Sequence, residues 1–445
     1  MKLAAFLAAA IAVRAQSDIS GTMGLDLEDR LIRYSASDDL RDPISRLQRA
    51  MDAGEIRLKW NAKQGYLPSV LEALKIPVSS QVLVFSKTSF QLQRIAPPTP
   101  RALYFNDDAY IGWVVDGDVV EVSSQDPLKG SIFYTLDQAP GRKPKFVRRD
   151  ECLQCHASPR TLGVPGHMVR SVYSGNDGYP IFQAGGFNTD HRSPMKERWG
   201  GWYVTGTHAN DYHMGNTFLA EKDKENPENL DMKRGANVTK LGKRFDSSRY
   251  LSPNSDIVAL MVLEHQVRMH NLITRVSYEA RVALEQQASM NKALGRPEGE
   301  WSDSTRRRIQ NPTEVLLQYM LFRDEAPLKG EVKGVNSFAA DFARTGARDS
   351  RGRSLREFDL QTRLFKYPCS FLVYTTAFDE LPAEVKSHLY KRLAEVLDGR
   401  DRGKVFGPMS DEDRRAVREI LVDTKPEIAA YFQSLNMPSN RIELR

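Results

Sequence analysis

The sequence predicts an α+β protein: a β-rich first half that carries a short cysteine motif, followed by a mainly α-helical second half. Three observations carry this. Between residues 80 and 150, β-branched and aromatic runs recur, each bounded by Pro, Gly, Asn or Asp. From residue 255 onward, apolar residues recur at helical spacing. Charged residues make up 27% and hydrophobic ones 41% of the 445 residues, the balance of a chain that buries a core and divides into two or three domains.

The N-terminus, MKLAAFLAAAIAVRAQS, has a positive Lys2, an apolar stretch from Leu3 to Val13 and a small-x-small pattern at Val13-Arg14-Ala15. This predicts a signal peptide over 1–15, removed on export, and places the protein in the periplasm or outside the cell. No later stretch holds eighteen apolar residues, so no transmembrane span is expected. Losing Lys2 and Arg14 lowers the formal charge from +6 to +4. That balance is too mild and too evenly spread to indicate nucleic acid as a partner; it suits docking on an acidic protein or surface.

Residues 16–220 are expected to form one mixed α/β domain. Helical spacing marks 26–75, ended by Pro77. Strands are expected at 82–85, 102–105, 110–115, 119–122 and 131–134, with Asp116-Gly117 in a hairpin loop. The run Trp202 to His208 reads as a further strand with Trp202, Val204, Gly206 and His208 on one face. Residues 221–250, rich in Asn, Lys and Asp, read as a linker. Residues 251–445 are expected to form a helical domain that packs on the first. A long helix capped by Asn254 or Ser255 runs to about Met290, and further helices lie within 301–322, 383–397, 410–422 and 426–435. Ser410 with Asp413 resembles a capping box.

One stretch carries chemistry: Cys152-Leu153-Gln154-Cys155-His156, with only one further cysteine, Cys369, in the chain. A zinc site would need two more ligands at close spacing, and no second C-x-x-C exists. Cys369 lies in an apolar run and is expected to be buried and inert. The C-x-x-C-H pattern resembles the haem-attachment motif of the c-type cytochromes. The resemblance covers these five residues and the export context. It implies one covalently bound haem c, with Cys152 and Cys155 as thioether donors and His156 as the proximal iron ligand. A haem propionate is expected to pair with Arg148, Arg149 or Arg170, of which Arg170 is taken as the cofactor-binding residue.

The sixth ligand is less determined. His265 interrupts an apolar stripe of Val258, Met261, Met269, Leu272 and Val276, and is the first choice. Met214 and His213, in a loop 58 and 57 positions after His156, are the alternatives, and His167-Met168 is nearer in sequence. The leading expectation is an exported monohaem electron-transfer protein that exchanges electrons with a redox partner protein or a small donor or acceptor. The alternatives are a haem enzyme of peroxidase or oxidase type, for which His191 between Asp190 and Arg192 would suit proton transfer, and a haem-based sensor module.

Overall fold

The computed structural model describes residues 25–209 and 211–436. The expected signal peptide lies outside the described residues. The fold is α+β: a large antiparallel sheet fills the first half and helices dominate the C-terminal part.

Two helices, α1 (Pro43–Asp52) and α2 (Leu67–Ala73), precede the sheet, with turns over the rest of 26–75. α1 starts where Asp42 caps it, its Oδ1 accepting from Ile44 N at 2.9 Å and Ser45 N at 3.2 Å. The strands follow as β1 (Val82–Val84), β2 (Arg101–Phe105), β3 (Ala109–Trp113), β4 (Val119–Asp126), β5 (Gly130–Asp137) and β6 (Phe146–Arg148). They pair antiparallel as a meander, and β9 (Trp202–Tyr203) adds to the free edge of β1, giving the order β6-β5-β4-β3-β2-β1-β9. The β3–β4 turn forms as expected, with Asp116 at φ 53° and Gly117 N bonding to Val114 O at 3.0 Å. After β6 come the one-turn helix α3 (Leu153–His156) and a two-stranded ribbon, β7 (Val169–Val172) with β8 (Gly186–Thr189).

The expected strand over 202–208 divides instead. Trp202 and Tyr203 join the main sheet, whereas β10 (Thr207–His208) pairs with β11 (Val332–Lys333) from the C-terminal half. The reason is at Thr205, whose backbone bonds to Ser255 O and Ile257 N, so the chain turns to the start of the long helix. Segment 221–250 is also no free linker. Leu241, Phe245 and Tyr250 are buried against the sheet, and Phe245 stacks on Tyr203 at 5.2 Å.

The second half contains α4 (Ile257–Leu294), α5 (Asp303–Met320), α6 (Phe338–Arg344), α7 (Thr376–Asp379), α8 (Ala383–Leu397), α9 (Asp411–Thr424) and α10 (Pro426–Asn436). The cap of α4 is Asp256, one residue beyond the expected Ser255: its Oδ1 accepts from Val258 N at 2.9 Å and its Oδ2 from Val335 N at 2.8 Å. Gly295, at φ 63°, ends α4. Residues 257–280 of α4 are buried except for Arg268, which marks a helix inserted into the core rather than laid on a surface.

The sheet separates two apolar layers. Ile111, Trp113, Val122, Ile132 and Leu136 face α1 and α2, while Val82, Val84, Phe105 and Tyr110 face α4 and the helices beyond it. The second layer runs from sheet to helices without a break, so α4 is common to both halves. Cys369 is fully buried there, as expected, and burial pushes its thiol up to about 12.

Candidate functional site

The site begins in the alternation of two strands. In β4 and β5, Val120, Val122, Ile132, Tyr134 and Leu136 point to the α1–α2 side. The residues between them, Glu121, Ser123, Gln125, Ser131, Phe133 and Thr135, therefore point to the other side. That face is apolar near β1–β3 and polar here. The loop from Arg149 to His167 covers the polar part.

Cys152, Cys155 and His156 occupy one helical turn, with Cys152 at φ −60°, ψ −26° opening α3. Spacings of three and four place the two thiols and the imidazole on one side of that turn. Both cysteines are free thiols, Cys155 exposed and Cys152 half-buried. Burial, with Glu151 and Glu121 nearby, pushes the Cys152 thiol up to about 11. A C-x-x-C redox or nucleophilic centre needs the opposite shift. Among the described residues, no three His, Cys, Asp or Glu side chains are grouped as a metal site.

His156 is held in one tautomer. Its Nδ1 lies 2.8 Å from Gly166 O, and a carbonyl oxygen only accepts, so Nδ1 carries the proton and Nε2 keeps its lone pair. Gly166 N returns a bond to His156 O at 2.8 Å. No hydrogen bond to Nε2 occurs among the described residues. The ring packs on Phe133 at 4.8 Å, near the Arg101–Glu121 ion pair of 2.6 Å. Burial is the main reason its basicity falls, opposed by the Gly166 carbonyl. Hence the ring is neutral at pH 7, the state a metal-ligating imidazole requires.

Helix α4 anchors the loop. Asn271 clamps the backbone of His167, its Oδ1 accepting from His167 N at 3.1 Å and its Nδ2 donating to His167 O at 2.7 Å. A side chain on Gly166 would strike Asn271. Arg275 donates to Leu162 O at 3.0 Å. Thus His156 is fixed by Gly166, and Gly166 by α4.

The three arginines differ in their partners. Arg148 bonds Asp150 at 2.8 Å and lies over Tyr34, and Arg149 lies 3.6 Å from Glu151. Arg170, half-buried, lies within electrostatic reach of Cys155 and Arg160 and makes no ion pair among the described residues. Its environment lowers its pKa, through burial first and Arg160 second.

Of the residues considered for a sixth ligand, His265, Met214 and His213 lie elsewhere. His265 is fully buried, with Nδ1 2.9 Å from His191 Nδ1 and Nε2 2.8 Å from Ser370 Oγ, stacked on Phe322 at 4.4 Å. Both ring nitrogens are committed to the helical core; binding iron would require giving up at least one of these bonds. It also lies six residues before Asn271, about 9 Å along α4. Met214 sits beside Ser171, with Ser171 Oγ 3.5 Å from its sulfur. Ser171 and Arg170 point to opposite sides of β7, so Met214 is behind the ribbon that turns Arg170 toward Cys155. His213 packs on Trp199 and His208 at 5.3 and 5.1 Å. His167 is nearest, 6.0 Å from His156 between ring centres, but its Nε2 meets Ser123 Oγ at 2.6 Å and its Nδ1 meets Ser131 Oγ at 3.1 Å. His191 faces His265, Tyr319 and Phe322, while neighbouring Asp190 pairs with Arg192 at 2.8 Å.

No pattern in the sequence marks Asn271, Ser123 or Arg160. The glycines and proline of Gly163-Val164-Pro165-Gly166 mark a turn, but nothing in the sequence joins it to Asn271 on α4. A comparison with protein-family models, curated proteins and solved structures returns no match to this chain.

The buried histidines give a pH dependence. Burial lowers His213 and His265 to about 3 and His270 to about 4, against about 6.5 in an unfolded chain. Their stabilisation is complete above pH 6.5 and is lost as pH falls toward these values. Glu264 and Glu325, raised to about 7 mainly by burial, act oppositely: their contribution is complete below about 4.5 and lost as pH rises through 7. Between about pH 6.5 and 4.5 the two carboxyls offset two of the three rings. Below 4.5 the histidine loss continues without that offset, at about 1.4 kcal/mol per pH unit for each ring. Denaturant unfolding from pH 7 to 3 is expected to show a shallow profile that turns steeply down below pH 4.5. An unchanged midpoint at pH 3 would contradict these burial assignments.

Proposed function

We propose that this chain is an exported haem c protein of the electron-transfer class, with haem attached at Cys152 and Cys155 and His156 as proximal ligand. The single observation that carries the reading is the His156–Gly166 bond. It protonates Nδ1, frees Nε2 and orients the ring, which is how a protein prepares an imidazole for a metal. The supporting features are two free thiols on the same helical turn and a cation, Arg170, without a carboxylate partner beside Cys155. When bound, the haem supplies an iron that cycles between two oxidation states. The chain's own residues do the rest. Gly166 and Asn271 hold the ligand loop, Glu121 and Arg101 set the local charge, and Arg170 is suited to a propionate. Cys155 is exposed, so a thioether there lies at the surface, where a redox partner can approach.

A second reading, a haem enzyme acting on a small molecule, gains from the placement of His265, Met214 and His213 away from the motif and from a small cavity beside it. The state of the iron separates the two. Two protein ligands give a low-spin spectrum and suit electron transfer; an open position gives a high-spin one and suits catalysis. For the proximal role, His156→Ala is expected to keep the covalent haem but lose the native visible spectrum. A spectrum unchanged by that substitution would remove His156 from the iron.

A further inference from the structure

We infer that Asn271 of α4 is a positioning residue for His156. Through a single peptide group it sets which ring nitrogen carries the proton and where the bare nitrogen points, so the helical half of the chain governs a ligand carried by the sheet half. The consequence at iron rests on the haem reading above; the positioning itself does not.

Asn271 is an amide only 1% exposed. Burying an amide is costly unless its groups are bonded. Both are, and to one residue: Oδ1 accepts from His167 N at 3.1 Å, and Nδ2 donates to His167 O at 2.7 Å. The first of these bonds matters most. His167 N–H and Gly166 C=O belong to the same peptide group, which is planar and trans, so the two point in opposite directions from one rigid unit. One end is held by Asn271. The other end accepts from His156 Nδ1 at 2.8 Å. The carbonyl cannot swing away from His156 without breaking the Asn271 bond. Hydrogen bonds in such a chain also polarise one another. An acceptor on the N–H makes the carbonyl a better acceptor, which draws on the Nδ1 proton and makes Nε2 a stronger donor to a metal. The approach is close enough that a Cβ on Gly166 would overlap Asn271 Oδ1, so the missing side chain is what lets the helix reach this peptide.

Asn271 is itself held in register. Gln266 Nε2 donates to Asn106 O and Tyr110 Oη, each at 2.8 Å, and His270 Nε2 donates to Asp107 O at 2.7 Å, which ties α4 to the β2–β3 turn. Arg275 Nη1 donates to Leu162 O at 3.0 Å, which ties it to the motif loop.

NMR of the full chain with Cys152→Ala and Cys155→Ala, labelled with ¹⁵N at histidine, reads the tautomer at neutral pH with no haem present. The His156 signals are identified by their loss in His156→Gln. One protonated and one bare nitrogen are expected. Asn271→Leu, similar in size and without either hydrogen-bonding group, is expected to bring the two nitrogen shifts toward their mean as the tautomers interconvert. Gln287→Leu is the control. That amide is also buried in α4, about 24 Å further along the helix, and bonds Asn291, Ser302 and Thr305. Its loss should lower stability and leave the His156 signals unchanged. In the haem-bearing chain, Asn271→Leu is expected to raise the midpoint potential, because a weaker imidazole donor stabilises ferric iron less, whereas Gln287→Leu is not. Should Asn271→Leu fail to fold, Gly166→Ala carries the same test, since its methyl group forces the peptide and Asn271 apart. Mixed tautomers already in the parent chain, or a single Nδ1–H tautomer retained in a folded Asn271→Leu or Gly166→Ala chain, overturn the proposal. So does an unchanged potential in haem-bearing Asn271→Leu. Tautomer mixing in Asn271→Leu, with an exported parent whose intact mass shows no haem, upholds the positioning and removes the haem reading.

Discussion

Replacing both thiols, Cys152→Ala with Cys155→Ala, is expected to abolish haem retention completely: after acid–acetone extraction the protein fraction should be colourless. Each single variant is expected to keep one thioether and a shifted spectrum. The size of the effect follows from chemistry rather than affinity, since a covalent bond is either present or absent. The substitutions should cost little stability, because Cys155 is exposed and Cys152 only half-buried. No hydrogen bond of either thiol to another residue occurs among the described residues. The fold and the cofactor can therefore be read separately, by denaturant unfolding and by extraction. Haem that extracts freely from the unaltered protein would contradict the attachment, whatever the iron ligands.

The second large effect concerns His265. Its ring stacks on Phe322 and Tyr319, with Ser370 and His191 on its nitrogens, all buried. His265→Ala leaves a cavity in a packed aromatic layer and strips partners from Ser370 and His191. His191 Nε2 is already buried without a partner, so the remaining imidazole would have neither nitrogen satisfied. Orphaned buried groups cost about 1–3 kcal/mol each, and the cavity adds about 2 or more. A loss of roughly 4 kcal/mol or more is expected in denaturant unfolding, a large share of the ~5–15 kcal/mol that holds a typical domain. The visible spectrum of the haem should not change, because the ring's nitrogens serve the core. A switch from low spin to high spin in this variant, with readily bound CO, would restore His265 as the sixth ligand and require the His191 and Ser370 bonds to open.

Both results depend on tertiary placement that single-sequence periodicity conveys unevenly. The strands from Val82 to Asp137 were legible because β-branched runs alternate between turn residues, and the helix from Ile257 was legible as a repeating stripe. The C-x-x-C-H spacing is local, so the motif needed no fold to be recognised. The stripe also made His265 conspicuous, yet a stripe reports only that a face is buried, not against what. The face meets Tyr319, Phe322, Phe365 and Phe371 from distant segments, and those partners decide what the imidazole does. The same limit hid the α4–loop clamp, since His167 and Asn271 are 104 residues apart. Segment 221–250 misled by composition: its many polar residues read as a linker, while Leu241, Phe245 and Tyr250 pin it to the sheet. The seven residues of α6 carry too short an apolar pattern to stand out from the polar stretch around them.

The central claim is that His156 belongs to a covalent haem site. The most direct measurement is the intact mass, under denaturing conditions, of protein exported in a host able to attach haem c. The account predicts the mass of the chain plus one haem, and the peptide containing Cys152 and Cys155 should carry that addition after proteolysis. A chain of unmodified mass from the same host, with both thiols free to react with an alkylating reagent, would contradict it.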